Sequence, residues 1–517
     1  MTKQSFIHGT IILIIAGMIT RLLGFVNRMV TARLMGEEGI GLYMLTMPTL
    51  FLLITLSQIG LPIAVAKRVA EASALGDMYR VKKILRLSLI IITCTSVFFM
   101  ISLIIAAPFI ARYLLTDERV LYPLLALSPA IPIIALASII KGYFQGLQNM
   151  KPQSFALIIE QMIRIAAVFL FVTFLLPFGI VYAATGAVAS IFIGELASII
   201  YLVYRLKKEQ QSITYDASTN DISAKKVRHD LFSIAIPFSG SKMIHSISTF
   251  IEPILVTQSL RVAGVVTSES TKQYGELTGF VMPILFLPTF ITNSISIALV
   301  PSISVLHTKQ NEKLLFARID QAIRISFASG AIGTIIFTLF APSILTYIYG
   351  TSNASTYLSL MAPFFLLLYV QTPLQSILIG LNYAKEVMWN NIIGSLVKFA
   401  VLILFTSQPQ FGIYGVVIAI NVYVLLVTLL HGALLYKKTN YLISFYQVCK
   451  MVLLVFIPFV CSYFLKIFFA PQLTTLIFFI VVIAIICVIY VLTMLILRFI
   501  TKEEWQQLLN MYQSWIK

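Results

Sequence analysis

Two arginines stand where a membrane-spanning helix should carry no charge. In the segment Gly17-Met-Ile-Thr-Arg-Leu-Leu-Gly-Phe-Val-Asn-Arg-Met-Val-Thr-Ala-Arg33, the residues Gly17, Arg21, Gly24 and Arg28 recur at i, i+4, i+7 and i+11. That spacing places them on one face of a helix, with the polar Asn27 beside them. A central arginine costs roughly 2.5–3.5 kcal/mol on insertion scales, so such side chains are expected to face a bundle interior or a wet cavity. The competing expectation is that they snorkel to the headgroups, which suits Arg28, nearer the end of the run, better than Arg21. The chemistry this pattern predicts is attraction of an anionic substrate into a positively charged cavity.

Other ionisable residues inside apolar runs extend the set. Arg164, Lys242, Arg324 and Lys398 stand against Glu160, Glu195 and Glu252, so six intramembrane cations face three acids. Such residues mark substrate or ion pathways. The cationic excess fits a phosphate or diphosphate, whose oxygens an arginine fork binds in pairs. Glu160 and Arg164 are i, i+4 and can pair directly, either as part of the cavity or as a self-satisfied pin between helices. Lys242, Arg324 and Lys398 also suit snorkelling to the cytoplasmic ends of their helices. His245 lies on the same run as Lys242 and Glu252. The candidate cavity is therefore Arg21, Asn27, Arg28, Glu160, Arg164, Lys242, His245, Glu252 and Lys398.

Enzyme chemistry finds no support. There is no H-E-x-x-H, G-x-S-x-G, P-loop or D-x-D pattern. Cys94, Cys449, Cys461 and Cys487 lie in apolar runs without C-x-x-C spacing, so neither a metal site nor a disulfide framework is expected. No cofactor is expected. Without an ATP site, transport has to draw on the membrane potential or on coupling to Na+ or H+, and the sequence leaves these open.

The elements that must position these residues follow from composition. Of 517 residues, 59% are hydrophobic and 11% charged, with a mean hydropathy of +0.95. A soluble domain carries about 25% charged residues, so this is an all-α polytopic membrane protein. Its net charge of +17 sits in loops between apolar spans, which excludes nucleic acid as the expected partner. Runs of about twenty apolar residues predict about fourteen transmembrane helices: 6–30, 40–64, 84–107, 121–142, 155–176, 180–204, 231–260, 279–303, 320–345, 355–380, 388–407, 412–436, 446–468 and 473–498. About 25 Lys and Arg residues fall on one side of this topology and about six on the other. This places both termini in the cytoplasm of a cell whose inner membrane holds the chain, with the first helix retained.

An internal repeat divides the spans. Pro48-Thr-Leu-Phe-Leu52 returns as Pro283-Ile-Leu-Phe-Leu287, Ala107-Pro108 as Ala341-Pro342, and Gly146-Leu147 as Gly380-Leu381. At nearly the same offset Lys151 meets Lys385, Arg164 meets Lys398, and Phe178-Gly179-Ile180 meets Phe411-Gly412-Ile413. Two parallel six-helix lobes are expected, 1–204 and 231–437, joined by a cytoplasmic loop at 205–230. Two extra helices at 438–498 and a cytoplasmic tail at 499–517 follow. Sliding the lobes sets Phe25-Val-Asn-Arg28 against Phe250-Ile-Glu-Pro253, so Asn27 meets the equivalent of Glu252.

The opening Lys3-Gln4…Gly9-Thr10, then Thr20-Arg-Leu-Leu-Gly-Phe25, Ala32-Arg33, Gly36-Glu-Glu-Gly-Ile-Gly-Leu-Tyr43 and Gly60-Leu-Pro-Ile-Ala64…Val69-Ala-Glu71 carry a family resemblance. The chain resembles the polysaccharide-transporter branch of the multidrug/oligosaccharidyl-lipid/polysaccharide flippase superfamily over essentially its whole length. The resemblance implies a lipid-linked oligosaccharide flippase related to the lipid II flippase of peptidoglycan synthesis, moving an undecaprenyl-diphosphate-linked precursor, for spore cortex, by alternating access. It implies two lobes around a cationic cavity and a lipid groove formed by the last two helices. The family's first-helix arginine falls on Arg21 and its second on Asn27, with Arg28 one place later. Its acidic residue at the start of span two falls near Gly39, after Glu37 and Glu38. Its Y-A-D-R-L segment meets Tyr274-Gly-Glu-Leu-Thr278, which has no arginine. Partners implied are a lipid-linked anionic oligosaccharide, the bilayer and proteins of peptidoglycan synthesis, with the chain acting as a monomer. The alternatives are a cation-coupled multidrug exporter on the same fold, which predicts an acid-lined cavity and twelve spans, and a membrane glycan enzyme or scaffold.

Overall fold

Apolar runs of this length satisfy their backbone inside a membrane only as helices, and helices are what the chain forms. The computed structural model describes residues 6–211, 223–469 and 475–499. Among them there is no strand. The first half holds α1 (Phe6–Gln58), α2 (Leu61–Ala74), α3 (Met78–Phe109), the short α4 (Leu121–Leu127), α5 (Ala130–Gly146), α6 (Lys151–Leu175), α7 (Ile180–Gln211) and α8 (Ala224–Val262). Then come α9 (Thr267–Gly275), α10 (Met282–Leu285), α11 (Thr289–Thr308), α12 (Glu312–Leu339) and α13 (Ala341–Tyr349). The chain continues through α14 (Ser355–Gly380), α15 (Ala384–Thr406), α16 (Ile413–Thr439), α17 (Phe445–Phe468) and α18 (Leu476–Ile496).

Local chemistry sets several of these ends. The Asp77 side chain accepts from Arg80 N at the start of α3, and Asn311 accepts from Leu314 N at the start of α12. Each thereby satisfies a backbone donor that the first helical turn leaves open. Pro342 cannot continue α12 and opens α13 instead. The long α1 is broken at Gly36, whose φ of +68° and ψ of −169° lie outside the helical region. Only glycine takes that conformation without a Cβ clash, so the charged stretch 17–33 and the segment that follows point along different axes.

Twelve helices among the described residues are long and apolar enough to span a membrane. The first of them, Gly17–Ala74, takes in the first two predicted runs, and α8, which covers the seventh, is outside the twelve. The all-α polytopic architecture stands, while the count of fourteen remains a reading of the sequence. The loop expected at 205–230 is narrower than its hydrophilicity suggests, because α7 continues to Gln211 and α8 begins at Ala224. Residues 212–222 and most of the expected tail lie outside the described residues.

The chain packs as two compact units. The first takes the described residues up to Phe280 together with Leu402–Val416, and the second takes Val281–Val401 with the described residues from Val417. This division falls at different places from the sequence repeat, since α8 and α9 pack within the first unit. The first unit's core joins α2, α3, α5, α7 and α8 through Leu61, Val65, Ile84, Tyr143, Phe144, Leu202 and Leu231. In the second unit, Ile303, Ile319, Leu378 and Leu435 tie α11, α12, α14 and α16 together. There the buried Tyr369 hydroxyl donates to Leu285 O at 2.7 Å.

Candidate functional site

The membrane-embedded charges of the first unit meet on three helices. Glu160 and Arg164 lie one turn apart on α6, and Arg164 Nη2 is 2.8 Å from Glu160 Oε1. The same guanidinium lies 3.6 Å from Glu195 Oε1 on α7, and Lys141 Nζ on α5 lies 3.4 Å from Glu160 Oε2. All four side chains are at most 17% exposed. Two cations and two acids thus form a self-neutralised quartet, which avoids the cost of leaving any one charge uncompensated away from water. Gly194 makes room for it. A Cβ there would lie 2.9 Å from Glu160 O and 3.0 Å from Arg164 Cβ.

Spacing exposes the Glu160–Arg164 pair, and the structure extends it to Lys141 and Glu195. Lys141 and Glu195 join the pair from α5 and α7, and the sequence signals neither contact beyond a charge at or within an apolar run. The quartet is not fully satisfied: Arg164 Nε, Glu195 Oε2, Gln161 Oε1 and Ser198 Oγ are buried without a hydrogen-bond partner.

The first helix packs on this quartet from outside. At Gly24 the α1 helix runs beside α6, where a Cβ would lie 4.0 Å from Gln161 Oε1, an ordinary contact. Asn27 is buried, with no partner for its Oδ1, and one turn later the Thr31 hydroxyl donates to Asn27 O at 2.6 Å. Arg21 and Arg28 are exposed on the same helix. The face read from the sequence therefore splits: Asn27 is buried, and the two arginines are solvent- or lipid-exposed.

On α8, Lys242 and His245 are exposed, while Glu252 is half-buried. Glu252 lies close enough to Tyr274 for its charge to add to the effect of burial in raising that phenol above its ordinary range. Lys398 belongs to the second unit. Its Nζ sits 5.2 Å from the centroid of Phe399 and 5.4 Å from that of Tyr423, a cation–π setting that favours the ammonium. Nearby, His431 Nδ1 and Asn390 Nδ2 are 3.0 Å apart.

A second cluster forms where α1 resumes after Gly36. Arg119 lies between Glu38 and Asp117, at 2.5 and 2.9 Å, and the Thr271 hydroxyl donates to Asp117 Oδ2 at 2.7 Å. Lys272 Nζ donates to Glu37 Oε2 at 3.2 Å, which raises the Lys272 pKa. The buried Glu276 carboxyl is pushed up to about 7 by burial first and by the Glu37 charge second. The sequence offered Glu37 and Glu38 only as residues preceding span two.

An apolar groove lies in the second unit between α12, α14 and α17. It encloses about 520 Å³ and is lined by Phe327, Leu366, Val448, Met451, Val455 and Phe456. It has the surface character of a lipid tail rather than of a polar ligand. Among the described residues no group of three or more His, Cys, Asp and Glu is arranged to hold a metal ion.

Comparison with known proteins agrees with this picture. The polysaccharide biosynthesis protein family matches residues 6–307, and the MatE family matches residues 277–404. Stage V sporulation protein B of Bacillus subtilis is 48% identical over 438 residues, 84% of this chain and 85% of that protein. The chain belongs to the polysaccharide biosynthesis protein family. The lipid II flippase MurJ of Bacillus subtilis is 24% identical, over 77% of this chain and 76% of its own. Among solved structures, a multidrug resistance MATE-family transporter of the MOP superfamily, in an inward-facing conformation, superposes with a TM-score of 0.65. That match has 17% identity and covers 81% of this chain and 94% of the other. The family member described here is a multi-pass membrane protein, and the proteins it resembles include a lipid II flippase and MATE-family transporters.

Proposed function

We propose that this chain carries an undecaprenyl-diphosphate-linked cell-wall precursor, lipid II or a close analogue, from the inner to the outer leaflet. The relatives named stage V sporulation protein B and lipid II flippase support cortex peptidoglycan as its destination. The observation that carries the proposal is the pair Arg21 and Arg28, exposed on a membrane helix that packs against α6. A guanidinium exposed at that depth attracts an anion, and a diphosphate offers oxygens in the geometry that arginine binds. Asn27, Lys242, His245 and Lys398 supply further polar groups along the path. Glu160 and Glu252 hold cations when substrate is absent. The groove along α17 takes the isoprenoid tail.

In this reading the lobes 1–204 and 231–437 rock about the cavity, both termini face the cytoplasm, and a monomer suffices. An inside-negative potential drives an anion outward by roughly 2.3 kcal/mol per charge per 100 mV when it crosses the whole field. That supplies the direction of export without a nucleotide, and coupling to Na+ or H+ would add to it. The MatE match favours a second reading, a cation-coupled drug exporter. It predicts efflux of organic cations and indifference to Arg21.

The test is a leaflet-accessibility assay in cells lacking other flippases. Wild-type protein is expected to expose lipid II to an external hydrolase, and Arg21→Ala at matched abundance is expected to lose most of that exposure. Undiminished exposure in the variant would overturn the role given to the first helix.

A further inference from the structure

The cluster after Gly36 does something the transport cavity does not need. Two glycine backbones, Gly41 on α1 and Gly275 at the end of α9, touch. A Cβ on Gly275 would lie 2.6 Å from Gly41 N and 2.7 Å from Gly41 Cα, and one on Gly41 would strike Thr271 O. One turn on, Gly279 packs on Ile40, completing a small-xxx-small seam of the kind that lets membrane helices approach closely. The backbone from Glu276 to Val281 is wound as a π-helix, a local underwinding frequent at functional sites. The buried Ile40 against Gly279 supplies apolar contact in this seam, and polar groups flank it.

Those groups are unevenly matched. Lys272 pairs with Glu37, and Arg119 bridges Glu38 and Asp117 with one positive charge for two negative. Glu276 faces Glu37 and shares the single cation Lys272 with it, while Glu269 adds further negative charge from α9. Two carboxyls brought together away from water cannot both ionise cheaply. We propose that Glu37 and Glu276 share one proton and so act as a latch: with the proton bound, the Gly41–Gly275 seam is closed; when it leaves to solvent, α1 swings away about the Gly36 hinge. The topology of the flippase reading puts this seam on the outer face, and its role in export rests on that reading.

The sign follows from Glu276. Its pKa in the closed seam, about 7, lies above the ordinary carboxylate value of 4.5. Closure is therefore favoured fully below about pH 4.5, weakens through the interval, and has lost this contribution above about pH 7. Lys272 stays protonated throughout and sets no part of the window. The outer compartment's acidity would thus decide how readily the outer half of α1 opens.

The experiment reads the seam without any substrate, so that it stands or falls separately from lipid transport. Full-length protein with Cys94, Cys449, Cys461 and Cys487 replaced by alanine carries spin labels at Arg33→Cys on α1 and Ser268→Cys on α9, in lipid nanodiscs. Pulsed electron resonance distances are measured at pH 5.5 and 8.5. The expected result is one short distance at pH 5.5 and an additional longer population at pH 8.5. Glu276→Gln should keep the short distance at both values, and Glu37→Gln, which removes the same carboxyl repulsion, provides the check should Glu276→Gln fold poorly. A distance distribution unchanged with pH in the parent protein, or a full pH response in either glutamine variant, would overturn the latch.

Discussion

Arg164 and Glu160 are bound across one helical turn, Nη2 to Oε1 at 2.8 Å, with side chains only 16% and 7% exposed. The pair anchors α6 to α5 through Lys141 and to α7 through Glu195, so three helices share one electrostatic knot. Removing one member strands its partner. Glu160→Gln leaves two cations with one acid and is expected to cost about 3–5 kcal/mol, read as a large fall in thermal midpoint in detergent. Replacing Lys141, Glu160, Arg164 and Glu195 together by apolar residues of similar size should recover much of that loss.

The knot needs Gly194. Adding a methyl group there forces it toward Glu160 O and Arg164 Cβ, and Gly194→Ala is expected to destabilise by about 1–3 kcal/mol. Gly240→Ala is the control, because a Cβ at Gly240 meets nothing within 4 Å. Alanine should raise helix stability there by about 0.5–1 kcal/mol. Equal effects at the two positions would refute the packing argument.

Gly36 is held at φ +68°, where an L side chain meets steric cost. Gly36→Ala should lower stability by about 1–2 kcal/mol and leave the quartet untouched. The thermal midpoint of Gly36→Ala against wild type measures this, with Gly240→Ala as the control that adds the same methyl group into open space.

Protonation of Glu276 should also appear in bulk stability. Its raised pKa makes the folded state take up a proton between about pH 4.5 and 7, so its contribution is present at pH 5 and gone at pH 8. The thermal midpoint of Glu276→Gln relative to wild type should therefore improve as pH rises. A difference independent of pH would remove Glu276 from the argument.

How much of this was legible in the sequence depended on whether a feature is local. Hydropathy runs marked the helices, and i, i+4 spacing predicted that Glu160 reaches Arg164, because both depend on one helix alone. Lys141 and Glu195 joining them depends on how α5 and α7 rotate against α6, and composition carries no record of that rotation. The first-helix face shows the same limit. Spacing grouped Asn27 with Arg21 and Arg28, but packing buries the asparagine and leaves the arginines exposed. The Gly41–Gly275 seam was invisible for a plain reason: glycines in apolar segments are common, and only the contact makes these two special. The kink at Gly36 lay inside a quoted motif, yet a positive φ has no signature other than glycine itself.

Reconstituted flipping decides the main proposal most directly. Purified protein in vesicles, with fluorescent lipid II in both leaflets and an inside-negative potential imposed, should speed exchange between leaflets, while Arg21→Ala and Arg28→Ala together return it to the protein-free rate. Exchange that matches protein-free vesicles, or that proceeds undiminished in the double variant, would contradict a cationic first helix that carries the diphosphate.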